Sequence, residues 1–174
     1  MDTFFEQIVV IRKTGKNIAK FIGIWVLAFI LSVATIFCVL LGVPVVSNFA
    51  LFLIFAIAFG GYKLSTLLNV EYEYIITNGT MDIDKIINRS SRKRIHSFEL
   101  SNVSRLEKFN PGMLNSMSKK EITFACNLDD SEIYLLVAEK EGKKPNYLIF
   151  APDDRLKGAI AKFVPKHISN SAFK

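Results

Sequence analysis

One long uncharged stretch limits what this chain can fold into. Residues 21–62 contain no Asp, Glu, Lys or Arg. A helix rises about 1.5 Å per residue and a bilayer core is about 30 Å thick, so one membrane span takes about 20 residues. The stretch is long enough for two spans, and Gly42-Val43-Pro44 interrupts it, because proline cannot continue a helix interior. The sequence therefore predicts a two-helix transmembrane hairpin, with helices at residues 21–41 and 49–68.

Basic residues on both sides of this stretch predict its orientation. They are Arg12, Lys13, Lys16 and Lys20 before it, and Lys63, Arg89, Arg92, Lys93 and Arg94 at its end and after it. The connecting turn carries no charge, so the positive-inside rule places both termini in the cytoplasm and the chain in the cell membrane with two spans. The apolar run also exceeds the length of a signal-peptide core, and we expect it to be retained.

Small residues four apart predict how the two helices pack. Ala28 and Ser32 form one such pair, and Ala56 and Gly60 form another. Small side chains let helices approach closely in a membrane, either within the hairpin or between subunits. Lys63, close to the end of the second helix, is expected to reach the headgroup region with its long side chain.

Net charge and cysteine content narrow the class of protein. The chain has 22 Lys and Arg against 16 Asp and Glu, a formal net charge of +6. This small excess lies close to the apolar stretch, which suits an anionic membrane leaflet better than a nucleic-acid partner. Cys38 and Cys126 cannot meet in this topology and are expected to be reduced, and with His96 and His167 they lack zinc-ligand spacing.

Residues 1–20 are interpreted as an amphipathic, juxtamembrane segment. Thr3 and Glu6 have the spacing of a helix capping box, and an apolar side is expected on a short helix over residues 1–14. Its apolar residues are Phe4, Phe5, Ile8, Val9 and Ile11. Such a helix would lie in the membrane interface or pack against the soluble domain.

Residues 69–166 have the pattern of a small antiparallel β domain closed by one amphipathic helix. Alternating and β-branched runs predict strands at residues 71–77, 81–87, 92–100, 121–126, 132–138 and 146–150. Asn78-Gly79 is a strong hairpin signal, and residues 88–91 and 141–145 are further turns. A helical turn followed by another strand is expected within residues 101–109, which gives six or seven strands in all. A loop is expected over 110–120, a helix from Pro152 to Pro165, and a loose tail over residues 167–174.

The order of these elements resembles bacterial pleckstrin-homology-like (PH-like) domains that follow a two-helix membrane hairpin. The residues that carry the resemblance are 69–79, Asn-Val-Glu-Tyr-Glu-Tyr-Ile-Ile-Thr-Asn-Gly, directly after the second span, followed by a strand and then a basic strand. The opening residues 1–7 and the basic residues 12–16 are similar to an uncharacterised family of small Gram-positive membrane proteins. The resemblance implies an α+β membrane protein with a hairpin and a C-terminal PH-like domain, and its motifs are structural.

A cluster of basic residues is the candidate functional feature. Arg89, Arg92, Lys93 and Arg94 lie within six positions and are the predicted contact with anionic lipid. A basic residue at a membrane surface contributes about 1 kcal/mol to such binding. The alternative is a solvated turn that only supports the topology.

Asp82 and Asp84 lie on one side of a strand, but further metal ligands are missing nearby. We expect these aspartates to pair with basic residues of the neighbouring strand instead. His96 is expected to be structural. The sequence therefore predicts no catalytic, cofactor-binding or metal site, no nucleic-acid partner and no small-molecule substrate.

Two hypotheses for function follow. In the first, the chain is a membrane-anchored, non-enzymatic binding or scaffold protein whose cytosolic domain engages a protein partner, another copy of itself or anionic lipid. In the second, it is an accessory or regulatory subunit of a larger membrane complex, such as a transporter or secretion assembly. An enzyme is disfavoured, because no acid, base, nucleophile and metal ligands come together in the pattern.

Overall fold

The structure is a computed structural model that describes residues 3–116, 122–138 and 145–173. The chain forms two compact units, a helical unit over Arg12–Val70 and a β domain built from Met1–Ile11 and Glu71–Lys174. The predicted loop at residues 117–120, residue 121 of a predicted strand and residues 141–144 of a predicted turn lie outside the described residues.

The helical unit contains two helices, α1 at Gly15–Leu40 and α2 at Pro44–Thr66. Gly42 ends α1 with φ +72°, a conformation that glycine adopts without strain. The Gly42 amide donates to the Val39 carbonyl and the Val43 amide to the Cys38 carbonyl, which is the Schellman pattern. Pro44 opens α2 at its first position, where its missing N–H costs nothing. The break was therefore predicted correctly, but both helices begin earlier than the sequence pattern predicts.

Both helices are long and apolar enough to cross a membrane. At about 1.5 Å per residue, their 26 and 23 residues correspond to about 39 and 35 Å. A core helix of a soluble protein would be mostly enclosed, whereas 6% of the most apolar 18-residue stretch of each helix is buried. Their composition and exposure suit a lipid environment.

The two helices pack against each other through small residues. Ala28 on α1 and Gly61 and Ser65 on α2 are their buried residues. A Cβ placed on Gly61 would lie 3.5 Å from the Ala28 Cβ, whereas nothing lies within 4 Å of one placed on Gly60. Ala28 lies in the contact between the helices as predicted, whereas packing of Ala56 and Gly60 within the hairpin is wrong, because the face that meets α1 lies one residue further along α2.

This one-residue difference predicts a selective cross-link. With Cys38 and Cys126 replaced by Ala, Ala28→Cys with Gly61→Cys is expected to form a disulfide under mild oxidation, because disulfide Cβ atoms lie about 3.5–4.5 Å apart. The matched pair Ala28→Cys with Gly60→Cys is expected to stay reduced. Thiol alkylation followed by mass measurement of the full chain distinguishes the two. Equal cross-linking of both pairs would contradict this helix face.

The β domain contains two four-stranded sheets. Within the described residues, the strands are β1 Phe4–Val10, β2 Val70–Thr77, β3 Thr80–Ile87, β4 Ser91–Glu99, β5 Val103–Lys108, β6 Ile122–Phe124, β7 Tyr134–Ala138 and β8 Asn146–Phe150. The first sheet has the order β1-β2-β3-β4 and the second β5-β7-β8-β6. Short 3-10 turns occupy Leu100–Asn102 and Pro111–Ser116. The turns after β2 and β3 contain positive φ values at Asn78, Gly79, Asn88 and Arg89, as the hairpin signals predict.

The predicted N-terminal helix is wrong, since this segment is the strand β1. It pairs antiparallel with β2, from Phe4 opposite Thr77 to Val10 opposite Glu71. Its side chains alternate between half-buried and exposed, which is the period of a strand. The helical unit is therefore inserted in the chain between two paired strands of one sheet.

The main core lies between the two sheets and the C-terminal helices. Tyr74, Ile76, Met81 and Ile83 of the first sheet are fully buried in it. The predicted C-terminal helix is present as α3, Asp154–Phe163, which contributes Leu156, Ala159 and Ile160 to this core. The Asp153 side chain caps its first turn by accepting from the Leu156 amide at 2.7 Å. The predicted loose tail is wrong, because α4, Lys166–Ala172, buries Ile168 and Ala172 in the same core.

The second sheet differs from a simple meander. Strand β6 pairs parallel with β8, while β7 pairs antiparallel with both β5 and β8. Every residue of β7 is buried. Leu136 faces the main core, whereas Leu135 belongs to a second cluster with Phe109, Met113 and Leu114. The sheet therefore has packed side chains on both faces at its centre.

Candidate binding surface on the first sheet

Strand alternation divides the side chains of the first sheet between the core and an outer face. Phe5, Val9 and Tyr74 point into the core. The outer face is defined here by Phe4, Glu6, Ile8 and Val10 of β1, Glu71 and Glu73 of β2, Asp82, Asp84 and Ile86 of β3, Arg92 and Arg94 of β4, and Arg89 in the β3–β4 turn. It combines five carboxylates, three arginines and exposed apolar residues of β1.

Three arginines pair with carboxylates across this face. Arg89 Nε lies 3.0 Å from Glu71, and Arg92 Nη2 lies 2.9 Å from Glu73. Arg94 joins Asp82 at 2.9 Å through Nη1 and Asp84 at 3.1 Å through Nε. The expected pairing of Asp82 and Asp84 with the neighbouring strand is thus confirmed for Arg94.

The four basic residues predicted to contact lipid occupy different positions. Arg89 and Arg92 lie at the end of the outer face where β2 begins, and Arg94 lies further along β4. Lys93 alternates with its neighbours and pairs in register with Lys85, so its side chain lies on the opposite face of the sheet. Register shifts between Ile83 and Asp84, with Ile95 left unpaired on β4.

The two end arginines keep most of their hydrogen-bonding capacity. A guanidinium group has five N–H donors. Arg89 donates one hydrogen bond to Glu71, and Arg92 donates one to Glu73. Their side chains are 83% and 56% exposed. Arg94 differs, because two carboxylates engage two of its nitrogens. Glu71 and Glu73 therefore orient two guanidinium groups that still have donors for a further acceptor.

A pocket of about 480 Å³ lies on this part of the outer face. Residues Arg89, Ser90, Ser91 and Arg92 line one side of it, and Ile8, Val10 and Ile86 supply apolar lining, with Glu71 also present. A pocket with guanidinium and hydroxyl groups next to aliphatic side chains suits an amphipathic anion.

Glu73 is the most buried carboxylate of the outer face, with 1% of its side chain exposed. Its Oε2 atom has no hydrogen-bond donor among the described residues. Desolvation by burial raises the pKa of Glu73 above its ordinary value, the neighbouring Glu6 carboxyl group raises it further, and Arg92 opposes these effects. Burial and a second carboxyl group nearby both disfavour the ionised form, so ionising Glu73 is more costly here than in water.

This burial predicts a pH dependence of stability. Because the folded chain holds the Glu73 proton more tightly than the unfolded chain, Glu73 favours folding below the unfolded pKa of about 4.3, and this contribution is lost as pH rises through the higher folded pKa. Glu73→Gln retains an acceptor for Arg92 without the charge. We expect the fall in melting temperature from about pH 5 to about pH 8 to be smaller in Glu73→Gln, by roughly 2–5 °C.

The control for this measurement is Glu99→Gln, because Glu99 is exposed on β4. Thermal unfolding of the full chain in detergent at both pH values gives the comparison. An equal pH response of the wild type and Glu73→Gln would contradict the assignment.

Cys126 and His96 of the β domain are engaged in its packing. Burial raises the pKa of the Cys126 thiol to about 12, which keeps it protonated and unreactive. His96 Nε2 lies 2.6 Å from Thr123 Oγ1 and links β4 to β6, and burial lowers its pKa. No group of three or more His, Cys, Asp or Glu placed to hold a metal ion occurs within residues 3–116, 122–138 and 145–173.

The sequence-based prediction missed the β1 side of this surface. Glu6, Ile8 and Val10 were assigned to a helix, so their place beside Glu73 and Arg92 was not foreseen. Apolar residues occur on both sides of this segment, so its sequence has no clear alternation, and the available signal was the β-branched run Ile8, Val9 and Val10.

Comparisons with known proteins identify the family. No curated protein and no solved structure matches the chain. The model of the family described as Bacterial PH-like domain (DUF6106) matches residues 1–170, which include β1, both helices and the β domain. The resemblance predicted from the sequence is therefore confirmed, and the chain belongs to this family of bacterial PH-like domains.

Proposed function

We propose that this chain is a membrane-anchored, non-enzymatic binding protein whose PH-like domain engages a partner at the cytoplasmic membrane surface. In this proposal α1 and α2 cross the membrane as a hairpin. The chain returns to the side from which it entered, and the β domain lies on that side with both termini.

The pairing of β1 with β2 is the observation that carries this proposal. Val10, before α1, lies opposite Glu71, after α2. Three residues separate Thr66 at the end of α2 from Val70 at the start of β2, a reach of at most about 14 Å. Strand partners on opposite sides of a bilayer about 30 Å thick could not pair. The pairing therefore supports a return to the same side, and the basic residues around the helices support the cytoplasmic side.

The polar groups of the domain support a binding role over a catalytic one. Asp82, Asp84 and Glu73 are paired with arginines. The Cys126 thiol is buried, and His96 is held against Thr123. The outer face of the first sheet instead carries an open pocket, and a pocket of this kind is suited to binding a ligand.

Reporter fusions test the topology. Alkaline phosphatase, which is active only outside the cytoplasm, is fused at residue 174 and, in a second fusion, at residue 42. We expect activity only at residue 42, together with sedimentation of the chain with membranes after alkaline washing. Activity at residue 174, or release of the chain by alkaline washing, would reject the proposal.

Size measurement in mild detergent tests the binding role. If the purified protein elutes alone, as copies of itself or with lipid, the result fits the proposal. If it always co-purifies with a different protein in a fixed ratio, the result would instead favour a subunit of a larger membrane complex.

A further inference from the structure

We propose that the outer-face pocket binds the phosphate group of an anionic phospholipid, with Arg89 and Arg92 as the phosphate ligands. This inference rests on the proposed membrane anchoring and names the partner of the same surface. Three observations support it: the residues that line the pocket, the N–H donors of Arg89 and Arg92 that the carboxylates leave unused, and the place of Val10 and Glu71 in the chain next to α1 and α2.

Arg89 and Arg92 are arranged to bind an oxyanion. Each gives one N–H to a carboxylate that fixes its orientation, and the other donors of each guanidinium have no acceptor among the described residues. Ser90 and Ser91 lie between them in the chain and line the same pocket, and the Ser90 hydroxyl makes a long hydrogen bond to the Ile87 carbonyl at 3.4 Å. A phosphate oxygen accepts from guanidinium forks and hydroxyl groups in this way. Glu71 and Glu73 act as positioning residues, because they hold the guanidinium groups without using all their donors.

The apolar lining favours a phospholipid over a free phosphate ion. Ile8, Val10 and Ile86 lie beside the charged groups, and the side chains of Ile8 and Val10 are 51% and 55% exposed. A free ion has nothing to bury against these side chains, whereas the glycerol and ester groups of a lipid do. Val10 and Glu71 are the last register pair of β1 and β2, and four residues separate Val10 from Gly15 at the start of α1, so in the proposed topology the chain enters the membrane soon after this pair.

The neighbouring basic residues differ enough to serve as controls. Lys93 carries the same charge as Arg89 and Arg92 but lies on the opposite face. Arg94 is held between Asp82 and Asp84 and does not line the pocket. A specific pocket and a diffuse attraction between basic residues and membrane therefore make different predictions.

Native mass spectrometry of the full chain in neutral detergent tests the site. Phosphatidylglycerol or phosphatidylcholine is added, and retained lipid is counted for the wild type, Arg89→Asn, Arg92→Lys and Lys93→Gln. Asn suits the positive φ of position 89, and Lys keeps a charge beside Glu73 while removing the fork, so both variants are expected to fold. Melting temperatures close to that of the wild type verify this.

We expect the wild type to retain phosphatidylglycerol in preference to phosphatidylcholine, with about fivefold weaker retention in Arg89→Asn. Arg92→Lys is expected to weaken retention several-fold, and Lys93→Gln less than twofold. The proposal is overturned by equal losses in Lys93→Gln and Arg89→Asn, by no loss in either arginine variant, by no preference between the lipids, or by equally effective competition from inorganic phosphate. None of these results bears on membrane insertion, which alkaline washing and the fusions test separately.

Discussion

Removing residues 2–11 is expected to unfold the β domain, although α1 and α2 separate the deleted segment from the other strands in the chain. Without β1, the edge of β2 loses its backbone partner, and the core loses the packing of Phe5 and Val9. The Gln7 side chain also donates to the Ala151 carbonyl at 2.9 Å and accepts from the Asp153 amide at 2.8 Å. Small domains are stable by only about 5–15 kcal/mol, so losing a whole strand is expected to exceed the margin.

Limited proteolysis of the full and shortened chains in membranes measures this effect. We expect rapid cleavage within residues 71–173 of the shortened chain, and resistance in the intact one. A segment that lies on the membrane as a helix would leave the domain protected after deletion. Such protection would show that β1 does not support the fold.

A matched pair of substitutions tests the strand period within β1. Phe5 packs against the core, and Lys162 lies over its ring, whereas Phe4 is 61% exposed. Phe5→Ala is expected to cost about 2–3 kcal/mol, less than full burial would give. Phe4→Ala is expected to cost less than about 0.5 kcal/mol. Denaturant unfolding in detergent gives both values, and similar costs would argue against strand alternation here.

The error at β1 has a physical cause. Phe4, Phe5, Ile8, Val9 and Ile11 fit a helical stripe, and Thr3 with Glu6 fits a capping box, so local signals favour a helix. The partner that decides the structure is β2, more than sixty residues later in the chain. Pairing over that distance depends on tertiary contacts, which local periodicity does not contain.

Features that depend on only a few neighbouring residues could be predicted from the sequence. Asn78-Gly79 makes the predicted tight turn, and Gly42 with Pro44 separates the helices as predicted, because positive φ and proline geometry act within a few residues. The C-terminal residues were predicted wrongly because their structure depends on tertiary contacts. Helix α4 has seven residues, which is too few for a clear helical pattern. It is held by the packing of Ile168 and Ala172 and by an edge contact between the rings of Phe173 and Tyr134.

The candidate surface was predictable in composition but not in arrangement. The basic cluster is visible in the sequence, and it is the register of β2, β3 and β4 that separates its members. That register brings Arg92 to Glu73 and ties Arg94 between two aspartates, with a shift at Ile95. A shift of one residue reverses which side chains share a face, and the local residue pattern does not reveal the irregularity between Ile83 and Asp84.

Leu135→Ala and Leu136→Ala are both expected to destabilise the β domain, by about 2–5 kcal/mol each. Both side chains are fully buried, although successive residues of a strand point to opposite faces. Leu136 packs in the main core, and Leu135 packs in the second cluster with Ile149 and Phe109. Denaturant unfolding of the full chain in detergent measures the costs, with the 61% exposed Leu128→Ala as the control.

This pair also tests how the second sheet is built. The sequence places Ile133, Leu135 and Val137 on one buried side of a strand, and a sheet with one solvated face would leave Leu136 on the other side exposed. Leu136→Ala would then cost almost nothing. In the structure, the segment around Met113 and Leu114 covers the odd-numbered side, while the core takes the even-numbered side. If either substitution left the free energy of unfolding almost unchanged, that face of β7 would be open to solvent. Two neighbouring residues of one strand both stabilise the fold strongly only when side chains are closely packed on both faces of the sheet.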